Sequence, residues 1–190
     1  MLKTLNIQRY EIDQITNGLP CAHPFGVLPA GGRKKTAEQE KSFLPMQVGN
    51  LWQINAQNFT QIQDTLSIGG NLYFKFHSLI GGDAVDTKYL RIDGAGQLLE
   101  AYPNDPGNTY LHACFNGKLG EEFFTLKDGS ENDYKVRIIE KTPEKMTFEF
   151  EMVYHPKLKG DKHTVSYVKG IGLQGKWNKV VIGGRTVKGE

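Results

Sequence analysis

From residue 43 onward, apolar and polar positions alternate with a period of two, and turn-forming clusters interrupt the alternation at close spacing. The clearest case is "MTFEFEMVY". Met146, Phe148, Phe150, Met152 and Tyr154 fall on one side, and Thr147, Glu149 and Glu151 on the other. A helix would not keep those apolar residues on one face, so the spacing predicts a half-buried antiparallel strand. "YKVRIIEK" precedes it across Thr142-Pro143-Glu144-Lys145, a turn with proline at its second position. "DTLSI" and "LYFKF" flank Gly69-Gly70-Asn71, and "TKYLRI" and "QLLEAY" flank Asp93 to Gly96. "TYLHACF" and "FFTL" flank the longer connection "NGKLGEE". Each pair reads as a hairpin. With "TVSYVKG", "KVVIGG" and "RTVKG", the pattern predicts a single all-β domain over residues 43–190. The expected form is an antiparallel barrel or sandwich of about ten short strands, with no helix.

The domain opens with "FLPMQVGNLWQI", residues 43–54. Pro45 lacks a backbone donor and cannot sit in a central strand, and Gly49-Asn50 is a turn pair. The stretch therefore reads as a turn that delivers Trp52 and Ile54 to the first strand, with Trp52 as a core anchor. Upstream, residues 1–42 are rich in Pro and Gly, then charged, without periodicity. They predict an irregular N-terminal segment with a short helical turn from Thr36 to Lys41, where Thr36 caps the first turn. Leu19, Phe25, Val27 and Leu28 would pack it against the body, since a free tail needs no such residues.

Composition narrows the functional classes. At 190 residues with 38% hydrophobic and 23% charged, the chain has the balance of an ordinary globular domain. Its net charge of +2 carries no basic stripe, so no nucleic-acid partner is expected. No apolar run reaches the ~18 residues of a transmembrane segment, and "MLKTLNIQRYEIDQ" lacks the continuous apolar core of a signal peptide. Cys21 and Cys114 leave two readings open. They form a disulfide closing a long loop, worth roughly 4–5 kcal/mol in the chain-entropy account, or they are two unrelated thiols with Cys114 packed in a strand.

Four segments in order, "FLPMQVGNLWQ", "DTLSIGGNLYFKF", "YLRIDGAGQLLEAY" and "YVKGIGLQGKW", carry a resemblance. The chain resembles a loose class of bacterial extracytoplasmic all-β proteins of unknown function, with a PL-x-VGN-x-W-x-Y opening and a Y-x-KGVGL closing strand. The likeness spans Phe43 to Trp177, and Ile54 stands where the opening has Tyr. It implies an all-β fold and an extracytoplasmic location (periplasmic, secreted or surface), and no particular reaction.

Catalytic motifs are missing from the sequence. The histidines, His23, His77, His112, His155 and His163, show no metal-ligand spacing, and there is no C-x-x-C. "GVLPAGGRKKT" lacks the lysine placement of a phosphate loop, and no G-x-S-x-G elbow is present. No cofactor, metal or catalytic residue is therefore assigned. "KDGSENDY" groups Asp128, Glu131, Asn132 and Asp133, departs from an EF-hand loop, and reads as a solvated turn.

Strand parity is more informative. If Phe74, Phe76, Leu90 and Ile92 point inward, then Tyr73, His77, Tyr89 and Arg91 point the other way. Tyr110 and His112 likewise oppose Leu111, Ala113 and Phe115. In one sheet these six would form an aromatic and basic surface suited to glycans or small anionic ligands. The competing reading is an ordinary solvated face or a second core layer. The expected function is thus a non-enzymatic β domain that binds a small molecule, a glycan or another surface component. A calycin-like carrier of a small apolar molecule is the alternative. A hydrolase with a cross-strand histidine and carboxylate is a third reading, with no motif behind it.

Overall fold

Thirteen β-strands and no helix make up residues 41–189, the part of the chain that the computed structural model describes. The expected packing of residues 1–40, the turn near Thr36 and any bond to Cys21 lie outside the described residues. β1 (Leu51–Asn55), β2 (Asn58–Ile68), β3 (Asn71–Ile80), β4 (Ala84–Ile92), β5 (Gln97–Tyr102) and β6 (Asp105–Cys114) run as a meander. β7 (Glu122–Phe124), β8 (Tyr134–Lys141), β9 (Lys145–Met152), β10 (Lys162–Val168) and β11 (Gly172–Leu173) form a second one. β12 (Lys179–Ile182) and β13 (Arg185–Lys188) return to the first sheet beside β1.

The result is an eight-stranded sheet ordered β13-β12-β1-β2-β3-β4-β5-β6 and a five-stranded sheet ordered β11-β10-β9-β8-β7. All pairings are antiparallel. Each sheet ends in edge strands, so neither closes into a barrel. The two share one core, which makes the arrangement sandwich-like.

Local chemistry explains the hairpins that form as expected. Ile68 pairs with Asn71 across Gly69 (φ 55°) and Gly70 (φ 79°), two left-handed positions that match the twist of the flanking strands. The Asp93 carboxylate accepts from the Ala95 and Gln97 amides, each at 2.9 Å, and closes the β4–β5 turn. The Thr142 amide donates to the Lys145 carbonyl at 2.8 Å in the β8–β9 turn.

"TYLHACF" and "FFTL" touch through one backbone bond, from the Leu111 amide to the Thr125 carbonyl at 2.9 Å, but do not pair as the expected hairpin. β6 is the edge of one sheet and β7 the edge of the other. Their connection bonds to β8 instead: the Gly120 amide donates to the Ile138 carbonyl at 2.8 Å, and the Ile138 amide to the Glu121 carbonyl at 3.0 Å. Those bonds commit the linker to the second sheet.

On β9, Met146, Phe148 and Phe150 are buried as the alternation predicts, whereas Tyr154 lies beyond the strand and is exposed. They meet Trp52, Ile62 and Phe76 of the larger sheet in the main cluster. Phe115 and Tyr167 cross edge to face at 5.1 Å within it. Thr147, on the polar side of the pattern, is also buried, because its hydroxyl donates to Glu140 at 2.6 Å and meets Ser166 at 2.8 Å. The outer face of the small sheet is an ion-pair lattice of Glu122, Lys135, Arg137, Glu149, Glu151 and Lys162.

Candidate functional site: a cleft between the sheets

Register places three rows of side chains on the inner face of the large sheet. Trp52, Thr60, Ser78 and Asp86 align across β1 to β4. Ile62, Phe76 and Lys88 form the next row, and Phe74, Leu90, Glu100 and Tyr110 the third. At one end the small sheet stands off from these rows and leaves a cleft of about 330 Å³. Val165, Tyr167, Leu173 and Trp177 line the opposite side.

Two stretches far apart in sequence, "FLPMQVGNLWQ" and "YVKGIGLQGKW", meet at this cleft. The Trp52 indole donates from Nε1 to the Ile171 carbonyl at 2.6 Å. A Cβ on Gly172 (φ +100°) would stand 3.0 Å from the Trp52 ring and 3.1 Å from Leu44, so the tryptophan packs where a side chain would be. The Gly170 amide donates to the Ser42 carbonyl at 2.8 Å. Asn50, fully buried, donates to the Pro45 carbonyl at 3.0 Å and accepts from the Gly183 amide at 2.9 Å. Trp177 donates to the Leu173 carbonyl at 2.8 Å. Both indole N–H groups are thus committed to backbone, and the rings serve as walls.

Apart from the buried Tyr167 phenol, the polar side chains lie on the large-sheet wall. The Thr60 and Ser78 hydroxyls bond at 2.8 Å. His112 is the extra residue of a bulge, since Leu98 pairs with Ala113 and Leu99 with Leu111. The bulge sets its imidazole 2.7 Å from the buried Glu100 carboxylate, and Lys88 lies 3.6 Å from the same oxygen. Burial pushes the Glu100 carboxyl up, but the hydrogen bond from His112 and the Lys88 charge outweigh it and hold the group below its usual range. An ionised carboxylate only accepts, so His112 donates from Nε2. Burial also pushes the neighbouring Tyr110 phenol up to about 12, and it raises the Tyr167 phenol as well. Asp86, exposed at the mouth, makes no hydrogen bond or ion pair with the described residues.

The six residues expected to share a face do not. Tyr73, Tyr89 and Arg91 come together on the outer face of the large sheet, with the Arg91 guanidinium 5.4 Å from the Tyr73 ring centre. His77 occupies that face further along β3, beside Phe59 at 6.2 Å. Tyr110 and His112 lie on the inner face, their rings 4.6 Å apart. The physical reason is register. Leu90 pairs with Glu100 and Glu100 with Tyr110, which carries Tyr110 to Leu90's side, and the bulge carries His112 into the cleft. Tyr73 is only 2% exposed and packs with Ile68 and Ala101, so this patch is largely a second core layer.

Trp177, Asp86, Lys88 and Glu100 went unnoticed as cleft residues from sequence. Glu100 alone carried a signal, as a charge at the core parity of "QLLEAY". In the 128–133 loop, Asp133 is 2% exposed. Its carboxylate accepts from Thr125, Leu126, Asp128 and Gly129 at 2.8–3.2 Å, so it organises the turn from inside. Among the described residues no three His, Cys, Asp or Glu side chains are grouped to hold a metal. No helix among them is long and apolar enough to cross a membrane. No protein family, curated protein or solved structure was found to match the chain.

Proposed function

We propose that this chain is a binding domain for a small amphipathic molecule held between its two sheets. The observation that carries the reading is the cleft of about 330 Å³, walled by Trp52, Phe76, Leu90, Val165, Tyr167 and Trp177, with the charged side chains on one side only. That size and division match small-molecule sites in general, where an apolar lining supplies affinity and a few polar groups fix orientation. Backbone carbonyls anchor both indoles without a ligand, which favours a pre-formed site. The binding expected from sequence is thereby moved from an outer sheet face to an interior one. The preference for apolar bodies resembles that of a carrier, in an open two-sheet frame.

The test uses the chain's own chromophores, since both of its tryptophans line the cleft. Titration with 1-octanol should change their emission saturably and raise the melting temperature, with stabilisation of roughly 2.7 kcal/mol at a hundred times the dissociation constant. Val165→Phe, which fills the cleft, should abolish both responses. Unchanged emission together with an unchanged melting temperature would defeat the reading.

One observation favours a second reading. The His112–Glu100 pair at 2.7 Å lines the same cleft, and a carboxylate-oriented imidazole is the form of a general base. Turnover of a small ester that disappears in His112→Ala would support a hydrolase over a binder.

A further inference from the structure

We infer that the polar group received by the cleft is a cation: an amine or quaternary ammonium carried on an apolar body. The inference rests on the binding reading above and names its ligand class. Along the polar wall all charges but one are matched. The Glu100 carboxylate faces Lys88 at 3.6 Å and His112 at 2.7 Å, and Lys88 is tied in return. Asp86 stands in the neighbouring row, exposed at the mouth, with no ion pair or hydrogen bond to the described residues. Counting Lys88 against Glu100, the carboxylate of this wall left without a cationic partner is Asp86.

The aromatic residues point the same way. Neither indole can donate to an anion, because Ile171 and Leu173 carbonyls already accept from them. What the half-buried Trp177 has left is ring surface, whose quadrupole attracts a cation and repels an anion. Burial keeps the Tyr167 phenol protonated, so it adds no opposing charge and contributes another ring. An anionic ligand would meet Asp86 as a like charge. It would also compete with the buried Glu100 carboxylate for Lys88, the one lysine lining the cleft. Thr60 and Ser78 already bond to each other, leaving one hydroxyl proton between them to donate.

Three probes of matched apolar length test this: octyltrimethylammonium, 1-octanol and octanoate, each titrated at low salt with tryptophan emission as the readout. The ammonium should bind about five-fold more tightly than the alcohol or better, and octanoate should bind most weakly. Raising the salt should erode that advantage, because Asp86 is exposed and screened once the Debye length falls to about 3 Å at 1 M. Asp86→Asn, checked for an unchanged melting temperature, should cut the ammonium-to-alcohol affinity ratio by about half or more, with the rings supplying what remains. Octanoate binding as tightly as the ammonium, or a cation preference undiminished by Asp86→Asn, overturns the inference. Binding of the alcohol without any cation preference overturns it while sparing the cleft reading, whereas silence from all three probes defeats the cleft reading too.

Discussion

Gly172 has no room for a side chain. Its φ of +100° lies in the left-handed region, and an added Cβ would press on the Trp52 ring at 3.0 Å. Gly172→Ala should therefore destabilise the fold by roughly 2–4 kcal/mol, combining backbone strain with displacement of a buried indole. Chemical denaturation measures that loss, and a red-shifted native emission would show that Trp52 has been forced toward water. Glu100 sets a pH dependence. Its carboxyl is depressed in the folded chain, so the stability it contributes is fully present above the unfolded value near 4.5 and is lost as pH falls through the lower folded value. Glu100→Gln should flatten the acid limb of a stability-versus-pH profile below about pH 4.5. An acid limb as steep as in the parent chain would mean that other carboxylates set it.

At the level of strands, β9 has two unequal faces. Phe148 is fully buried and contacts Phe115, Phe123 and Tyr167, while Glu149 on the opposite side joins the ion-pair lattice with Lys162. Phe148→Ala should cost about 3–5 kcal/mol, and Glu149→Ala should barely move the melting temperature, since exposed ion pairs contribute little. Comparable losses from both would refute the assignment of faces. Such alternation is legible in sequence because it depends only on neighbours. So are the β2–β3, β4–β5 and β8–β9 turns, whose Gly-Gly, Asp and Thr residues close their own hydrogen bonds. The β6–β7 connection is not, because its partner is Ile138, well beyond it in the chain. The position of His112 is hidden for a related reason: a bulge adds one residue to a strand, and parity counting assumes that none is added. Trp52 could be picked out as a core residue from its surroundings, but its service as a cleft wall depends on a carbonyl 119 positions away.

On the scale of the whole molecule, the larger sheet brings the start and finish of the domain side by side. β1 pairs with β2 on one flank and with β12 on the other. During synthesis from the N-terminus, β1 through β6 can pair in sequence, each with the strand just made. The second flank of β1 nonetheless stays bare until Lys179–Ile182 has been made, and Trp52 lacks its carbonyl acceptor until Ile171 arrives. Such distant pairing carries a large loop-closure cost and tends to slow folding. The cleft is therefore among the later parts of the described domain to take shape, because the Trp52 wall is fixed only once Ile171 and β12 are both in place.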